Sequence, residues 1–188
     1  GVGLPVFEAR GSMIVDIGGG TCDVAVISLG GIAARKSIKT AGNALDEAII
    51  NYMKKIHNLL IGTITAEDIK LKIGSATEYD GEAVMEVRGR NLTDGLPNAI
   101  EVTSAEIREV LSAPVSEIIS AICETLEVTL PELAADIIDK GIYITGGTSL
   151  LRGLPELITK ETNIAVHKTD MPLEAVAIGA SVKLRRAR

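Results

Sequence analysis

Aromatic residues are nearly absent from the sequence: 188 residues include one Phe, three Tyr and no Trp, 2 % in all. With 46 % of residues hydrophobic, the core must be built from Ile, Val, Leu and Ala. Such a core suits buried strands covered by helices, and the length allows one good-sized domain or two small ones. Cysteine is scarce too. Cys22 and Cys123 lie in apolar surroundings, which reads as two buried thiols in a reducing cytosol, not a disulfide or a reactive pair. The two histidines, His57 and His167, stand apart without metal-ligand spacing.

Positive charge is also in deficit. A formal net charge of −6 argues against nucleic acid as the main partner. The one basic cluster, residues 183–188, falls at the end of a predicted helix, where cations offset the helix dipole. No apolar run reaches the ~18 residues of a membrane span, and no signal peptide opens the chain. The opening "GVGLPVFEARG" lacks an initiator Met and reads as cut from something longer. Repeats and low-complexity tracts are missing. So are the P-loop pattern G-x-x-x-x-G-K-S/T, the dinucleotide pattern G-x-G-x-x-G and a serine in a nucleophile elbow.

What is present begins with "SMIVDIGGGTCDVAVISLGG", residues 12–31. Apolar runs at 12–17 and 22–29 flank three glycines, and Gly30-Gly31 leads into a third run at 32–40, predicting a three-stranded meander. The period then switches. Leu45, Ile49, Tyr52, Met53 and Ile56 mark one helical face, with Asn43 as N-cap and Asp46 and Glu47 in the first turn. A shorter helix follows, capped by Thr65 and ending near Gly74. Residues 82–90 and 96–102 read as a strand pair around "NLTDG". Thr103 or Ser104 starts the longest helix, which Pro114 is expected to bend or split.

A helix from Pro131 to before Gly141 leads to a strand at 142–145, the turn "GGT", a helix over "SLLRGLPELITKE", a strand at 164–167 and a closing helix opened by Pro172. Leu150, Leu151, Leu154, Leu157 and Ile158 recur at helical spacing and read as core. The order predicts an α/β fold with a mixed sheet flanked by helices, interrupted by a smaller α+β insertion at 43–109.

The two glycine turns carry the chemistry. Consecutive glycines expose backbone N–H groups with no Cβ in the way, a nest that attracts anions. Asp16, at the end of the preceding strand, can hold Mg²⁺ directly or through water. Thr21 adds a hydroxyl, and Asp23 adds a second carboxylate on the same strand face. The alternative is a plain hairpin turn with an incidental Asp. The second turn, "YITGGTSLLRGLPELI", places paired glycines between a strand and a helix, a setting for a ligand packed against main chain. Thr148 or Ser149 can equally cap that helix. Arg152 points away from the core face, toward a base, a ribose or solvent.

"IVDIGGGTCDVAVI" resembles the second phosphate-binding hairpin of the actin, chaperone and sugar-kinase ATPase superfamily, and "YITGGTSLLRGLPELI" resembles its adenosine motif. With "GLPV", "TAGNALDEAIINYMKK", "LIGTITAEDIKLKIGSA" and "VRGRNLTDGLPNAIEVTSAEI", nearly the whole chain is similar to the MreB family of bacterial actins. The resemblance implies an actin-like, ribonuclease H-like fold. It covers only the second half of such proteins, with 1–42 plus 110–188 as subdomain IIA and 43–109 as IIB.

It further implies ATP and Mg²⁺ as cofactors, with Asp16 on the metal through water and Asp16 and Thr21 serving the chemistry. Gly18, Gly19, Gly20 and Thr21 would surround the β- and γ-phosphates. Glu67, Asp68, Ile69 and Lys70 would form the E-x-x-K segment at the adenosine, although Glu67 and Lys70 alone read as an i,i+3 surface pair. Gly146, Gly147, Thr148, Ser149 and Leu150 would form the adenine side, with Thr148 standing where a third glycine is common. The glutamate that orients the attacking water belongs upstream of "GLPV".

For a complete protein the resemblance implies ATP hydrolysis and cytoplasmic filaments that determine cell shape. It also implies elongation proteins at the inner membrane as partners, and membrane contact through the other half only. These residues alone are expected to stay monomeric or associate weakly. A chaperone of the heat-shock type or a sugar-kinase-type phosphotransferase is the alternative.

Overall fold

A computed structural model of the chain describes residue 3 and residues 6–186, with side chains described as far as residue 181. The basic cluster at 183–188 therefore lies outside the described side chains. The elements in chain order are β1 (Ser12–Ile17), β2 (Cys22–Ser28), β3 (Gly31–Ile38), α1 (Gly42–Ile56), β4 (Leu59–Leu60), α2 (Thr63–Ile73), β5 (Val84–Asn91) and β6 (Pro97–Thr103). There follow α3 (Ser104–Glu127), α4 (Pro131–Lys140), β7 (Ile142–Thr145), a 3-10 turn (Gly147–Leu150), α5 (Leu154–Thr162), β8 (Val166–Lys168) and α6 (Ala175–Arg186).

The expected meander forms: β1 pairs antiparallel with β2, and β2 with β3. β7 inserts beside β1 in parallel, and β8 follows β7 in parallel, giving the mixed order β3-β2-β1-β7-β8. Alternation explains the burial. Met13, Val15 and Ile17 of β1 and Cys22, Val24 and Val26 of β2 are buried, and their neighbours less so. Long α3 lies against β2 and β3, α4 against β1 and α5 against β8. A second sheet, ordered β4-β5-β6, packs with α1 and α2. The core is aliphatic, as the composition requires; Met13, Leu45, Ile49, Ile107, Ile118 and Ile122 are fully enclosed.

Several local expectations fail for identifiable reasons. Pro114 does not split α3, which runs unbroken from Ser104 to Glu127. Buried Leu111, Val115 and Ile118 hold both sides of the proline to the core, and that packing outweighs the single lost helix bond. Its start is secured by a capping box: Thr103 accepts from the Glu106 N–H and Glu106 accepts from the Thr103 N–H. α1 starts at Gly42 with Ala41 as N-cap, so Asn43 lies inside the helix and Asp46 and Glu47 lie beyond its first turn. α2 is preceded by Gly62, not capped by Thr65. Ile56, at the end of α1, is 63 % exposed and leaves the core stripe. The helix expected over 149–161 breaks at Gly153, whose left-handed φ of 75° divides the 3-10 turn from α5. That break turns Leu150 outward, whereas Leu154 and Ile158 remain buried.

Candidate functional site

β1 and β7 are parallel neighbours with Asp16 opposite Thr145. Their carboxyl ends therefore lie side by side, and the two glycine turns leave the sheet together. None of Gly18, Gly19 and Gly20 has a positive φ. These three glycines are not demanded by a left-handed backbone. A Cβ at Gly20 would meet nothing within 4 Å, so the space beside the turn is open. Gly146 differs. It has φ +84°, and a Cβ there would lie 2.4 Å from the Ile17 carbonyl oxygen and 2.6 Å from Asp16 Oδ1. Here glycine is obligatory because the second turn presses against the strand that carries Asp16.

The carbonyls of the first turn are tied down. Gly18 O accepts from the Gly42 N–H at 3.1 Å, and Gly19 O from the Asn43 N–H at 2.8 Å. The Thr148 hydroxyl also donates to Gly18 O, at 2.8 Å. Among the described residues no hydrogen bond engages the N–H of Gly19 or Gly20, and both glycines are exposed. Bare donors on an exposed glycine turn are what an anion-binding nest requires. Beside them, burial and then the Asp23 carboxylate hold the Asp16 carboxyl above its ordinary range, an arrangement that a bound cation would relieve. Thr21 Oγ1 donates to Asp23 Oδ2 at 2.9 Å. Under the turn, Cys22 is fully buried. Burial, followed by Asp23 and Asp16, pushes its thiol up to about 12, so it stays an inert thiol.

The second turn and α2 face each other across a cleft open to solvent, lined by Lys70, Leu71 and Gly74 on one side and Gly147, Thr148, Leu150, Leu151 and Arg152 on the other. The expected adenosine and adenine segments thus meet, although not every member faces the gap. Ile69 is fully buried in the core. Glu67 is exposed, and Asp68 pairs with Lys72 at 2.7 Å. The i,i+3 surface pair between Glu67 and Lys70 is replaced by a longer-range contact. Lys70 Nζ lies 2.8 Å from Asp46 Oδ1, close but not aligned as a hydrogen bond, and donates to the Gly42 carbonyl at 3.2 Å.

Ser149 donates to Gly146 O, and Thr148 to Gly18 O, so neither caps a helix. Leu150, though outside the core, is 54 % exposed at the cleft mouth. The Arg152 guanidinium sits 4.2 Å above the Tyr79 ring, and Arg152 O accepts from the Ala76 N–H at 2.7 Å, clipping the chain after α2 to the second turn.

Sequence reasoning missed Gly42, Asn43 and Asp46 as supports of the site. The signal was "AGN" ahead of the helix: small residues where a backbone must approach another closely. Among the described residues no group of three or more His, Cys, Asp or Glu could hold a metal alone. The donor set nevertheless fits a hard cation that keeps most of its waters, with Asp16 as its protein ligand.

Comparison with known proteins identifies the family and the fold. The chain is 50 % identical over 184 residues to the cell shape-determining protein MreB of Escherichia coli (strain K12), covering 98 % of this chain and 53 % of that one. It is 46 % identical over 184 residues to the cell shape-determining protein Mbl of Bacillus subtilis (strain 168), covering 98 % and 55 %. The crystal structure of MreB5 of Spiroplasma citri bound to ADP superposes with a TM-score of 0.93 at 39 % identity, over 96 % of this chain and 55 % of that one. The chain therefore spans about half the length of the relatives it matches, and its fold is actin-like. A chaperone or sugar-kinase half is not favoured. The MreB/Mbl protein family matches all of residues 1–188, and the chain belongs to that family.

Proposed function

We propose that the chain forms one wall of an ATP site in an MreB-like bacterial actin, with 1–42 plus 110–188 as subdomain IIA and 43–109 as IIB. The observation that carries this reading is the first glycine turn. Its glycines are not required by backbone conformation, its carbonyls are tied inward, and two N–H groups are left bare beside a half-buried carboxylate. The β- and γ-phosphates would lie on Gly18, Gly19, Gly20 and Thr21, where Mg²⁺ would neutralise their charge. Asp16 would hold that ion through its waters, and Asp23 would orient the Thr21 hydroxyl. The base and ribose would occupy the cleft between Lys70, Leu71 and Gly74 and the segment Gly147–Leu150. The ADP named for the Spiroplasma citri structure supports this ligand class.

In the whole protein the opposite wall would complete the cleft and orient the attacking water, since phosphoryl transfer depends on placement and electrostatics. ATP binding and hydrolysis would then accompany assembly into cytoplasmic filaments that shape the cell, with membrane contact and elongation partners engaged through the other half. Among the described residues no helix is long and apolar enough to cross a membrane.

Calorimetric titration of ATP onto these 188 residues, with and without Mg²⁺, tests the assignment. Binding should be measurable but far weaker than a two-sided cleft would give. Asp16→Ala should abolish the Mg²⁺-dependent part, and an unchanged Mg²⁺ dependence would remove the role of Asp16.

A further inference from the structure

A trans peptide unit points its C=O and the following N–H in opposite directions. The orientation of the Gly19 N–H is therefore fixed by whatever holds the Gly18 carbonyl, and that of the Gly20 N–H by whatever holds the Gly19 carbonyl. These are the two amides left without partners on the exposed side of the first turn. Three donors hold the carbonyls. The Gly42 and Asn43 N–H groups come from the start of α1, while the third is the hydroxyl of Thr148, from a turn 130 residues away in sequence.

Thr148 is 9 % exposed, and a Cβ at Gly42 would lie 2.8 Å from its Oγ1, so the hydroxyl is wedged between the two glycine segments. Its position in the second turn suggests a contact to the base. Its hydrogen bond does something else.

We propose that Thr148 is a positioning residue for phosphate recognition: by holding the Gly18 carbonyl inward, its side chain aims the Gly19 N–H at the anion. The inference rests on the nucleotide reading and deepens it, because it moves Thr148 from the adenine side to the phosphate side. A carbonyl held by two donors has little freedom to swing. With the hydroxyl gone, the Gly42 N–H alone restrains it, so the turn persists but its amide is less sharply directed. Two ligand fragments separate the roles. Tripolyphosphate with Mg²⁺ uses the nest alone, and adenosine uses the cleft alone.

The test compares wild type, Thr148→Val and Thr148→Ser by calorimetry with Mg²⁺-tripolyphosphate and with adenosine, alongside amide hydrogen exchange without ligand. Thr148→Val should weaken tripolyphosphate about three- to tenfold, the scale of one hydrogen bond. Adenosine, whose cleft Thr148 also lines, should lose less than tripolyphosphate, and the Gly42 amide, which shares the same acceptor, should exchange faster. Thr148→Ser keeps the donor and should restore all three readouts. Loss of adenosine affinity with tripolyphosphate retained would overturn the proposal in favour of a base contact. An equal loss of both ligands in Thr148→Val and Thr148→Ser would show that the hydroxyl is not the cause. If wild type binds neither fragment, the nucleotide reading itself fails. If wild type binds both and the variants match it, only the positioning role fails. Unchanged Gly42 exchange in Thr148→Val would sink that role without any ligand at all.

Discussion

Gly146 offers the sharpest test of how the two turns fit together. In Gly146→Ala the new methyl would sit 2.4 Å from the Ile17 carbonyl oxygen and 2.5 Å from its carbon. These are backbone atoms at the end of a buried central strand. Ordinary contact begins near 3.4 Å, so one segment must shift by 3.4 − 2.4, about 1 Å. Forcing an L-residue to φ +84° and ψ 158°, an essentially glycine-only region, adds about 1–3 kcal/mol, and overpacking of this kind costs about 1–3 kcal/mol. The total loss should be about 2–6 kcal/mol, a large share of the ~5–15 kcal/mol that holds a domain together.

Gly20→Ala is the matched control. A Cβ there meets nothing within 4 Å and the φ is not left-handed, so stability should stay within about 0.5 kcal/mol of wild type. Urea denaturation followed by far-ultraviolet circular dichroism suits a protein without Trp, and the midpoint shift at constant m gives the difference. A Gly146→Ala loss below about 1 kcal/mol, or equal losses at both glycines, would refute the claimed contact between turn and strand.

Two further predictions concern charge. Lys70 and Asp46 side chains are 12 % and 14 % exposed. Lys70→Met should therefore cost about 3 kcal/mol by stranding a nearly buried carboxylate, and adding Asp46→Asn should recover part of the loss in a double-mutant cycle; strict additivity would show that the pair is uncoupled. The second concerns pH. The Asp16 carboxyl is raised by burial and then by Asp23, so the folded state holds its proton more tightly than the unfolded chain. Stability from this group is present below the ordinary carboxylate range and falls as pH rises through the folded value. Asp16→Asn should accordingly raise the urea midpoint at pH 7 and lose that advantage in acid. Glu106 has the opposite sign, because the Thr103 backbone N–H and then the Thr103 hydroxyl lower its pKa. Its contribution is present at neutral pH and disappears on acidification, so Glu106→Ala should cost more at pH 7 than in acid. Parallel pH profiles for the two variants would contradict both assignments.

Long periodic segments were legible because period and burial agree. The alternation in β1 and β2, the apolar stripe of α1 and the strand–glycine–glycine order at 142–147 all announced their elements before any fold was in view. Terminal details were less so. Asn43 has the chemistry of an N-cap, yet its backbone N–H is committed to Gly19, and no local pattern encodes a partner 24 positions upstream (43 − 19). Leu150, in the 3-10 turn before the break at Gly153, and Ile56, the last residue of α1, keep helical spacing at element ends, so periodicity assigned them to a core that stops short of them. β4, only two residues long, has no propensity signal of its own and exists because β5 offers an edge. At the site, residue types marked the two turns and Asp16. The supports were invisible because each joins segments distant in sequence.

β7 sits directly beside β1 in the sheet, yet the chain reaches it long after β1. During synthesis the early glycines gain the Gly42 and Asn43 donors soon after they emerge, but the Thr148 hydroxyl arrives only after more than a hundred further residues, and closing so long a loop is entropically slow. A nascent or truncated chain ending before Thr148 would have the glycines and the α1 donors but not the third, so full bracing of the first turn waits on synthesis of the second.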